Sequence, residues 1–139
     1  MIPRVKDFMT KQPYTITEQT SIAEADKIMK KYNIRHLPVV TNNKVVGMVS
    51  DRDLKSANSV KASPLTLQVK YLYHEKPYSV DPNTTLDEVA KEMAKHHYGS
   101  AIIVKDDQLV GIFTTVDACK ALAFLLESYH LGGGDEQDD

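Results

Sequence analysis

The sequence lacks the features of a disulfide-bonded, secreted or membrane-embedded protein. Its single cysteine, Cys119, cannot form an internal disulfide bond, which is typical of proteins in a reducing compartment. The longest apolar run, residues 121–126, is far shorter than the roughly 20 residues that a membrane-spanning helix needs. Residues 1–7 contain no apolar segment or cleavage site of a secretory signal. We therefore predict a cytoplasmic protein without a membrane partner.

An excess of either charge is also missing. The 17 lysines and arginines nearly balance the 19 aspartates and glutamates, and they are spread along the chain. Because nucleic-acid-binding domains cluster their basic residues, we do not expect nucleic acid as a partner. The chain is 42% hydrophobic and 26% charged over 139 residues, which is typical of one globular domain or two closely packed halves.

Signatures of catalysis and of metal binding are absent from the sequence. There is no glycine-rich phosphate loop, nucleophile elbow or paired-carboxylate cluster. His96 and His97 are adjacent, so on a helix their side chains would point about 100° apart and could not share a metal ion. His74 and His130 are isolated, and we expect them to be solvated. These absences argue against an enzyme and against a required cofactor or metal.

The sequence does contain an internal duplication. Residues 5–53 align without a gap with residues 69–117, and 13 of the 49 pairs are identical, where composition alone would give about three. The glycine run and acidic residues after position 131 have no apolar anchor, which predicts disorder there. We predict four segments: a first repeat at 1–57, a linker at 58–68, a second repeat at 69–131 and a disordered acidic tail at 132–139.

Each repeat shows the same order of local signals. The patterns Ser21-x-x-Glu24 and Thr85-x-x-Glu88 predict capping boxes, and apolar residues at helical spacing follow them. Two short apolar runs then flank a dipeptide that tolerates positive φ, Asn-Asn at 42–43 and Asp-Asp at 106–107, which predicts a β-hairpin.

A second helix is predicted to begin at Ser50 in the first repeat and at Thr114 in the second, the later one ending near Gly132. Each repeat is thus predicted to be a βαββα unit in an α/β (α+β) fold. A unit of about 50 residues buries too little apolar surface to be stable alone. The two units should therefore pack sheet to sheet around a pseudo-twofold axis.

The junction between the last strand and the second helix carries the pattern Gly-x-x-Ser/Thr-x-x-Asp, from Gly47 to Asp53 and from Gly111 to Asp117. This pattern resembles the signature of cystathionine-β-synthase domains, which occur in pairs called Bateman modules. Residues 5–10 resemble the opening of that domain and residues 34–40 resemble its second strand. The resemblance covers nearly the whole chain.

The resemblance implies a regulatory module that binds an adenosine-containing ligand, such as AMP, ADP, ATP or S-adenosylmethionine, in clefts between the repeats. Asp53 and Asp117 would accept hydrogen bonds from ribose hydroxyls, and Ser50 and Thr114 would line the same clefts. In the family, the base-binding segment of one repeat meets the carboxylate of the other.

This crossing predicts two unequal clefts. The Asp117 cleft would contain Tyr14, Ile34, Arg35 and His36, and the Asp53 cleft would contain Tyr78, Tyr98, Gly99 and Ser100, with Arg52 as its only obvious cation. Phosphate binding needs cations or amide donors, which favours the Asp117 cleft for a phosphate chain. A ligand base would stack on Tyr98 in the other cleft.

Other interpretations of the same residues stay open. The Ser-x-x-Asp and Thr-x-x-Asp patterns are also helix caps that need no ligand, so the chain could be a constitutive dimerisation scaffold with empty clefts. A nucleotide-processing enzyme is a third, weaker hypothesis. In every regulatory reading the output passes to a separate effector protein or a second copy, and the apolar stripe of residues 118–126 predicts a homodimer.

Overall fold

The computed structural model describes residues 2–57 and 67–137, so most of the predicted linker and the last two residues lie outside it. Seven strands and four helices are described, together with short 3-10 turns at Val5–Asp7 and Val69–Tyr71. The strands are Thr10–Lys11 (β1), His36–Thr41 (β2), Lys44–Ser50 (β3), His74–Glu75 (β4), Ser79–Val80 (β5), Ser100–Lys105 (β6) and Gln108–Thr114 (β7). The helices are Ile22–Tyr32 (α1), Asp51–Ala57 (α2), Leu86–His96 (α3) and Thr115–Gln137 (α4).

Helices α1 and α3 begin where the sequence predicts them, but their caps differ. The Ser21 hydroxyl accepts a hydrogen bond from the Glu24 backbone N–H at 3.1 Å, as a cap should. Thr85 makes no side-chain cap bond, so the capping box predicted there is wrong. The Thr85 hydroxyl instead bonds the Asp87 carboxylate, and this bond lowers the pKa of Asp87.

The predicted hairpins are confirmed. Strands β2 and β3 pair antiparallel, as do β6 and β7. Both residues of each turn have positive φ, 52° and 63° at positions 42 and 43 and 51° and 63° at 106 and 107. Asparagine and aspartate tolerate this left-handed conformation, which the twist of a two-residue hairpin requires. The two repeats therefore turn in the same way with different residues.

The opening segment of each repeat joins the sheet of the other repeat. Strand β1 pairs with β7, with Thr10 opposite Ile112, while β4 pairs with β3, with His74 opposite Met48. The sheets are consequently β1-β7-β6-β5 and β2-β3-β4. Each repeat thus contributes its opening strand to the sheet of the other repeat. The sequence reasoning, which kept each opening segment with its own repeat, did not anticipate this exchange.

The hydrophobic core follows the same exchange. Val69 packs with Leu37 in the core of the first repeat, and Val5 packs with Phe113 in the core of the second. Between the two sheets lies a third cluster of Met48, Ile102 and Ile112. Burial of this cluster joins the repeats, which confirms the predicted packing of sheet against sheet.

Helix α4 is longer than the sequence predicts. It continues to Gln137, so the expected end near Gly132 is wrong. Glycine weakens a helix by about 1 kcal/mol but ends it only where the chain turns left-handed, and no described glycine has a positive φ. None of the described helices is long and apolar enough to span a membrane.

Candidate functional site

The two strand-to-helix junctions form reciprocal capping boxes. Asp53 Oδ2 accepts hydrogen bonds from the Ser50 backbone N–H at 2.8 Å and from the Ser50 hydroxyl at 2.9 Å. In return, the Asp53 N–H donates to Ser50 Oγ at 3.2 Å. Thr114 and Asp117 repeat this arrangement at 2.9, 3.1 and 3.3 Å. The helix-cap interpretation of these residues is therefore confirmed, and each cap holds its carboxylate in a fixed orientation.

A further residue reaches each carboxylate from the opposite repeat. The Thr10 hydroxyl lies 3.0 and 3.2 Å from the two carboxylate oxygens of Asp117, to which it donates. His74 Nε2 lies 3.0 Å from Asp53 Oδ1. Thr10 and His74 occupy equivalent positions 64 residues apart. Sequence reasoning missed both, because only the exchange of opening segments brings them to these carboxylates.

Asp53 borders a cleft of about 690 Å³ between the repeats. The cleft is large enough for a small organic ligand, since typical ligand pockets measure roughly 300–1,000 Å³. Its walls come from both repeats, as the sequence predicts. The predicted residues found in the cleft beside Asp53 are Ser50, Arg52, Tyr78, Tyr98, Gly99 and Ser100.

The prediction that Arg52 is the only obvious cation of this cleft is wrong. Arg35 and His36, which the sequence analysis predicts in the Asp117 cleft, line the Asp53 cleft, and so does Lys76. The cause is the packing of the repeats, because His36 lies against Gly99: a Cβ at Gly99 would be only 2.8 Å from His36 Nε2. Because Gly99 has no side chain, residues 35–36 can pack against it and reach the Asp53 cleft.

The remaining predicted residues do not line this cleft. Asp117 is only 7% exposed, and neither it nor Thr114 is among the lining residues. Tyr14 stacks on Tyr32 with ring centroids 3.8 Å apart. Ile34 packs at the edge of the first core. Within the part of the chain that the structure describes, these residues therefore lie outside the cleft that Arg35 and His36 line.

Aromatic and ionisable groups define the chemistry of the Asp53 cleft. The Tyr78 and Tyr98 rings are stacked with centroids 5.0 Å apart, and burial raises the pKa of Tyr78. Burial also lowers the pKa of His36, against the attraction of Asp51 and Asp53. His36 therefore favours its neutral form. Within residues 2–57 and 67–137, no group of three or more ligating side chains could hold a metal ion.

Known proteins and protein families share the sequence pattern of this chain. A family model for the CBS domain matches twice, at residues 5–59 and 69–124. The CBS domain-containing protein YhcV of Bacillus subtilis is 32% identical over 113 residues, which cover 81% of each chain. Inosine-5'-monophosphate dehydrogenase of Staphylococcus aureus is 30% identical over 128 residues, which cover 88% of this chain. The chain spans only 25% of the length of that dehydrogenase.

Solved structures share this architecture over most of the chain. The acetoin utilization protein AcuB of Vibrio cholerae is 34% identical to this chain and superposes on it with a TM-score of 0.85. The superposition covers 91% of this chain and 95% of AcuB. The CBS domain pair of protein MJ0100, in complex with 5'-methylthioadenosine and S-adenosyl-L-methionine, gives 0.81 at 30% identity, covering 88% and 98%. CBSX2 in complex with AMP gives 0.80 at 26% identity, covering 88% and 98%. The chain therefore belongs to the CBS domain family and consists of two CBS domains in tandem.

Proposed function

We propose that this CBS domain pair is a regulatory module that binds an adenosine-containing ligand in the Asp53 cleft. The observation that carries the proposal is the convergence of a fixed carboxylate and two stacked tyrosine rings, Tyr78 and Tyr98, on one 690 Å³ cavity. A carboxylate can accept hydrogen bonds from two vicinal ribose hydroxyls, and an aromatic ring can stack on a purine base.

The hydrogen bonds of Asp53 leave it able to take this role. Its Oδ2 is used by the cap at Ser50, whereas the one hydrogen-bond partner of its Oδ1 among the described residues is His74. The His74 side chain is 72% exposed, and exposed ion pairs contribute roughly 0–1 kcal/mol, so a ribose can displace the imidazole at little cost. Binding of adenosine compounds by the similar CBS pairs MJ0100 and CBSX2 supports the same ligand class.

Replacing each carboxylate by its amide tests this proposal. Asp53→Asn should weaken binding of AMP or S-adenosylmethionine by roughly tenfold to a hundredfold, because hydrogen bonds to a charged acceptor contribute about 1.5–3 kcal/mol. Asp117→Asn is the matched control and should leave this affinity unchanged. Isothermal titration calorimetry measures both. Equal affinity of the wild type and Asp53→Asn would contradict the proposal.

We propose that the signal passes to a second copy of the chain or to a separate effector protein, and that the protein works in the cytoplasm without catalysing a reaction. Leu122, Phe124 and Leu126 on α4 are each more than half exposed, at 58%, 58% and 56%. Apolar side chains so exposed on one helix are typical of an interface, which supports a homodimer through α4. Sedimentation of Leu122→Lys against the wild type tests this, since the proposed dimer should dissociate.

A constitutive scaffold with empty clefts remains the second candidate. The capping boxes at Ser50 and Thr114 favour it, because they use both carboxylates structurally without a ligand. The two candidates differ in the small molecules that accompany the protein. Denaturing freshly purified protein and analysing the released compounds by mass spectrometry should yield an adenosine compound for the regulatory module and none for the scaffold.

A further inference from the structure

The exchange of opening segments places one side chain over each capped carboxylate, in the same register on both sides of the molecule. His74 on β4 lies opposite Met48 of β3. Thr10 on β1 lies opposite Ile112 of β7, which is the equivalent of Met48. Because the strands and the caps repeat, the two covering residues approach their carboxylates from equivalent backbone positions. The two covers therefore differ because one residue is a threonine and the other a histidine.

Thr10 occupies the acceptor atoms that a ribose would need at Asp117. Its hydroxyl donates to both carboxylate oxygens, at 3.0 and 3.2 Å, and Oδ2 also accepts from the Thr114 hydroxyl of the cap. A threonine hydroxyl is joined to the backbone through a single rotatable bond, and β-branching makes that bond stiff. The hydroxyl therefore stays beside the buried Asp117 carboxylate as long as β1 stays paired with β7.

His74 covers Asp53 less completely. Its Nε2 lies 3.0 Å from Asp53 Oδ1 and donates to it, because an ionised carboxylate only accepts hydrogen bonds. This bond is exposed to solvent, and the His74 side chain is 72% exposed. The imidazole is joined to the backbone through two rotatable bonds, so it can turn into solvent while β4 stays paired with β3. A ligand can therefore displace this cover.

The residue before His74 holds the backbone in place while the imidazole moves. The Tyr73 hydroxyl donates to Glu18 Oε2 at 3.1 Å, and the Tyr73 backbone N–H donates to the Val69 carbonyl oxygen at 3.0 Å. Glu18 in turn accepts a hydrogen bond from the Thr41 hydroxyl at 3.2 Å. Displacement of His74 thus moves one side chain and leaves the pairing between the repeats intact.

We infer that the covering residue on each exchanged strand decides which junction takes a ligand. Thr10 closes the junction at Asp117. His74 is a displaceable cover that competes with the ligand for Asp53 Oδ1 and leaves this cleft accessible, so each chain binds one ligand. This inference rests on the function proposed above, and it adds the residue that limits the affinity of the cleft and the number of sites in the chain.

Calorimetric titration of the full chain with adenosine tests the inference. Adenosine carries no charge, which matters because residues of both signs line the cleft and would act on a charged ligand: Arg35, Arg52, Lys76, Asp51, Asp53 and Glu75. The wild type should bind one adenosine per chain. His74→Ala should bind adenosine about twofold to fivefold more tightly, because the ligand no longer has to break an exposed contact with Asp53.

His74→Thr introduces the residue that the first repeat holds at the equivalent position. It should close the Asp53 junction as Thr10 closes the other one, and weaken adenosine binding by at least about tenfold. The two substitutions of His74 thus move the affinity in opposite directions, which is not expected of a residue that binds the ligand or only supports the fold. His130→Ala removes an imidazole on α4 outside the cleft, so it is the matched control and should bind as the wild type does.

The inference is overturned, while the proposed function stands, if His74→Ala binds no more tightly than the wild type or if a folded His74→Thr binds equally well. Two adenosines per chain of the wild type overturn it as well. Should His74→Thr fail to fold, the affinity of His74→Ala and the stoichiometry of the wild type decide. Where adenosine binds too weakly to be titrated, AMP replaces it for every variant. If no adenosine compound binds the wild type, both the inference and the proposed function fail.

Discussion

The two junctions of this molecule share one backbone arrangement and differ in what covers their carboxylates. Thr10 covers Asp117 with a hydroxyl that donates to both carboxylate oxygens, and Asp117 is 7% exposed. His74 covers Asp53 from a single side, and Asp53 is only partly buried, beside an open cleft. Duplication therefore preserved the caps while the covering residues diverged.

This contrast separates residues that folding requires from residues that are free to specialise. The caps at Ser50 and Thr114, the hairpin turns and the buried core positions agree between the repeats because each supports a helix, a turn or buried packing. Arg35, Arg52 and Lys76 have Gly99, Val116 and Gln12 as equivalents, and none of these three cations is buried. Divergence at such exposed positions costs little stability, so these positions are free to change.

The largest expected difference between the repeats lies in their cores. Phe113 and Val49 occupy equivalent positions and are 1% and 0% exposed. Phe113→Ala should lower the free energy of unfolding by about 3–5 kcal/mol, and Val49→Ala by about 2 kcal/mol, because the larger side chain leaves the larger cavity. Urea unfolding measures both. An equal loss of unfolding free energy in the two variants would show that the volume of the removed side chain does not set the cost.

Because the opening segments are exchanged, each core contains residues from both repeats. Both alanine variants should therefore keep a single unfolding transition. Two separate transitions would show that the repeats unfold independently.

A smaller difference is expected at the glycines beneath the exchanged segments. A Cβ at Gly47 would strike the Tyr73 ring and lie 2.8 Å from the His74 carbonyl oxygen. A Cβ at Gly111 would lie 2.5 Å from Met9 Sδ and 3.0 Å from the Thr10 carbonyl oxygen. Gly47→Ala should cost roughly 3 kcal/mol and Gly111→Ala roughly 1 kcal/mol, because a tyrosine ring is rigid and a methionine adapts.

Thermal unfolding of the two glycine variants at one pH checks this order. A larger loss for Gly111→Ala than for Gly47→Ala would contradict the different rigidity of the two covering side chains.

The smallest expected effect concerns pH. Burial lowers the pKa of His36 below 6.5, so the unfolded chain takes up the proton more readily than the folded chain. Stability of the wild type should therefore fall as pH drops from about 6.5 through the folded-state pKa, and the loss is complete below it. His36→Ser, which introduces the residue found at position 100, removes this contribution.

Chemical denaturation of both proteins between about pH 7.5 and pH 5 measures the difference, in which the other titrating groups cancel. The wild type should lose stability relative to His36→Ser as the pH falls. A constant difference, or a relative gain by the wild type, would show that His36 is not destabilised as an imidazolium.

Several elements of the molecule could be predicted from local sequence because their causes are local. The capping pattern from Ser21, the positive-φ dipeptides of both turns and the duplicated Gly-x-x-Ser/Thr-x-x-Asp junctions each act within a few residues. The end of α4 could not be predicted in this way. A glycine run lowers helix propensity, but it stops a helix only when the backbone turns left-handed there.

Local sequence is enough to predict the helices and hairpins of both repeats and the caps that orient Asp53 and Asp117, because these depend on short-range hydrogen bonds and on apolar periodicity. The groups that meet at each carboxylate are selected instead by tertiary packing. The exchange of opening segments brings His74 to Asp53 and Thr10 to Asp117, and the contact of His36 with Gly99 places Arg35 in the Asp53 cleft. Such contacts join residues far apart along the chain, so the packing of the two sheets, and no local pattern, selects them.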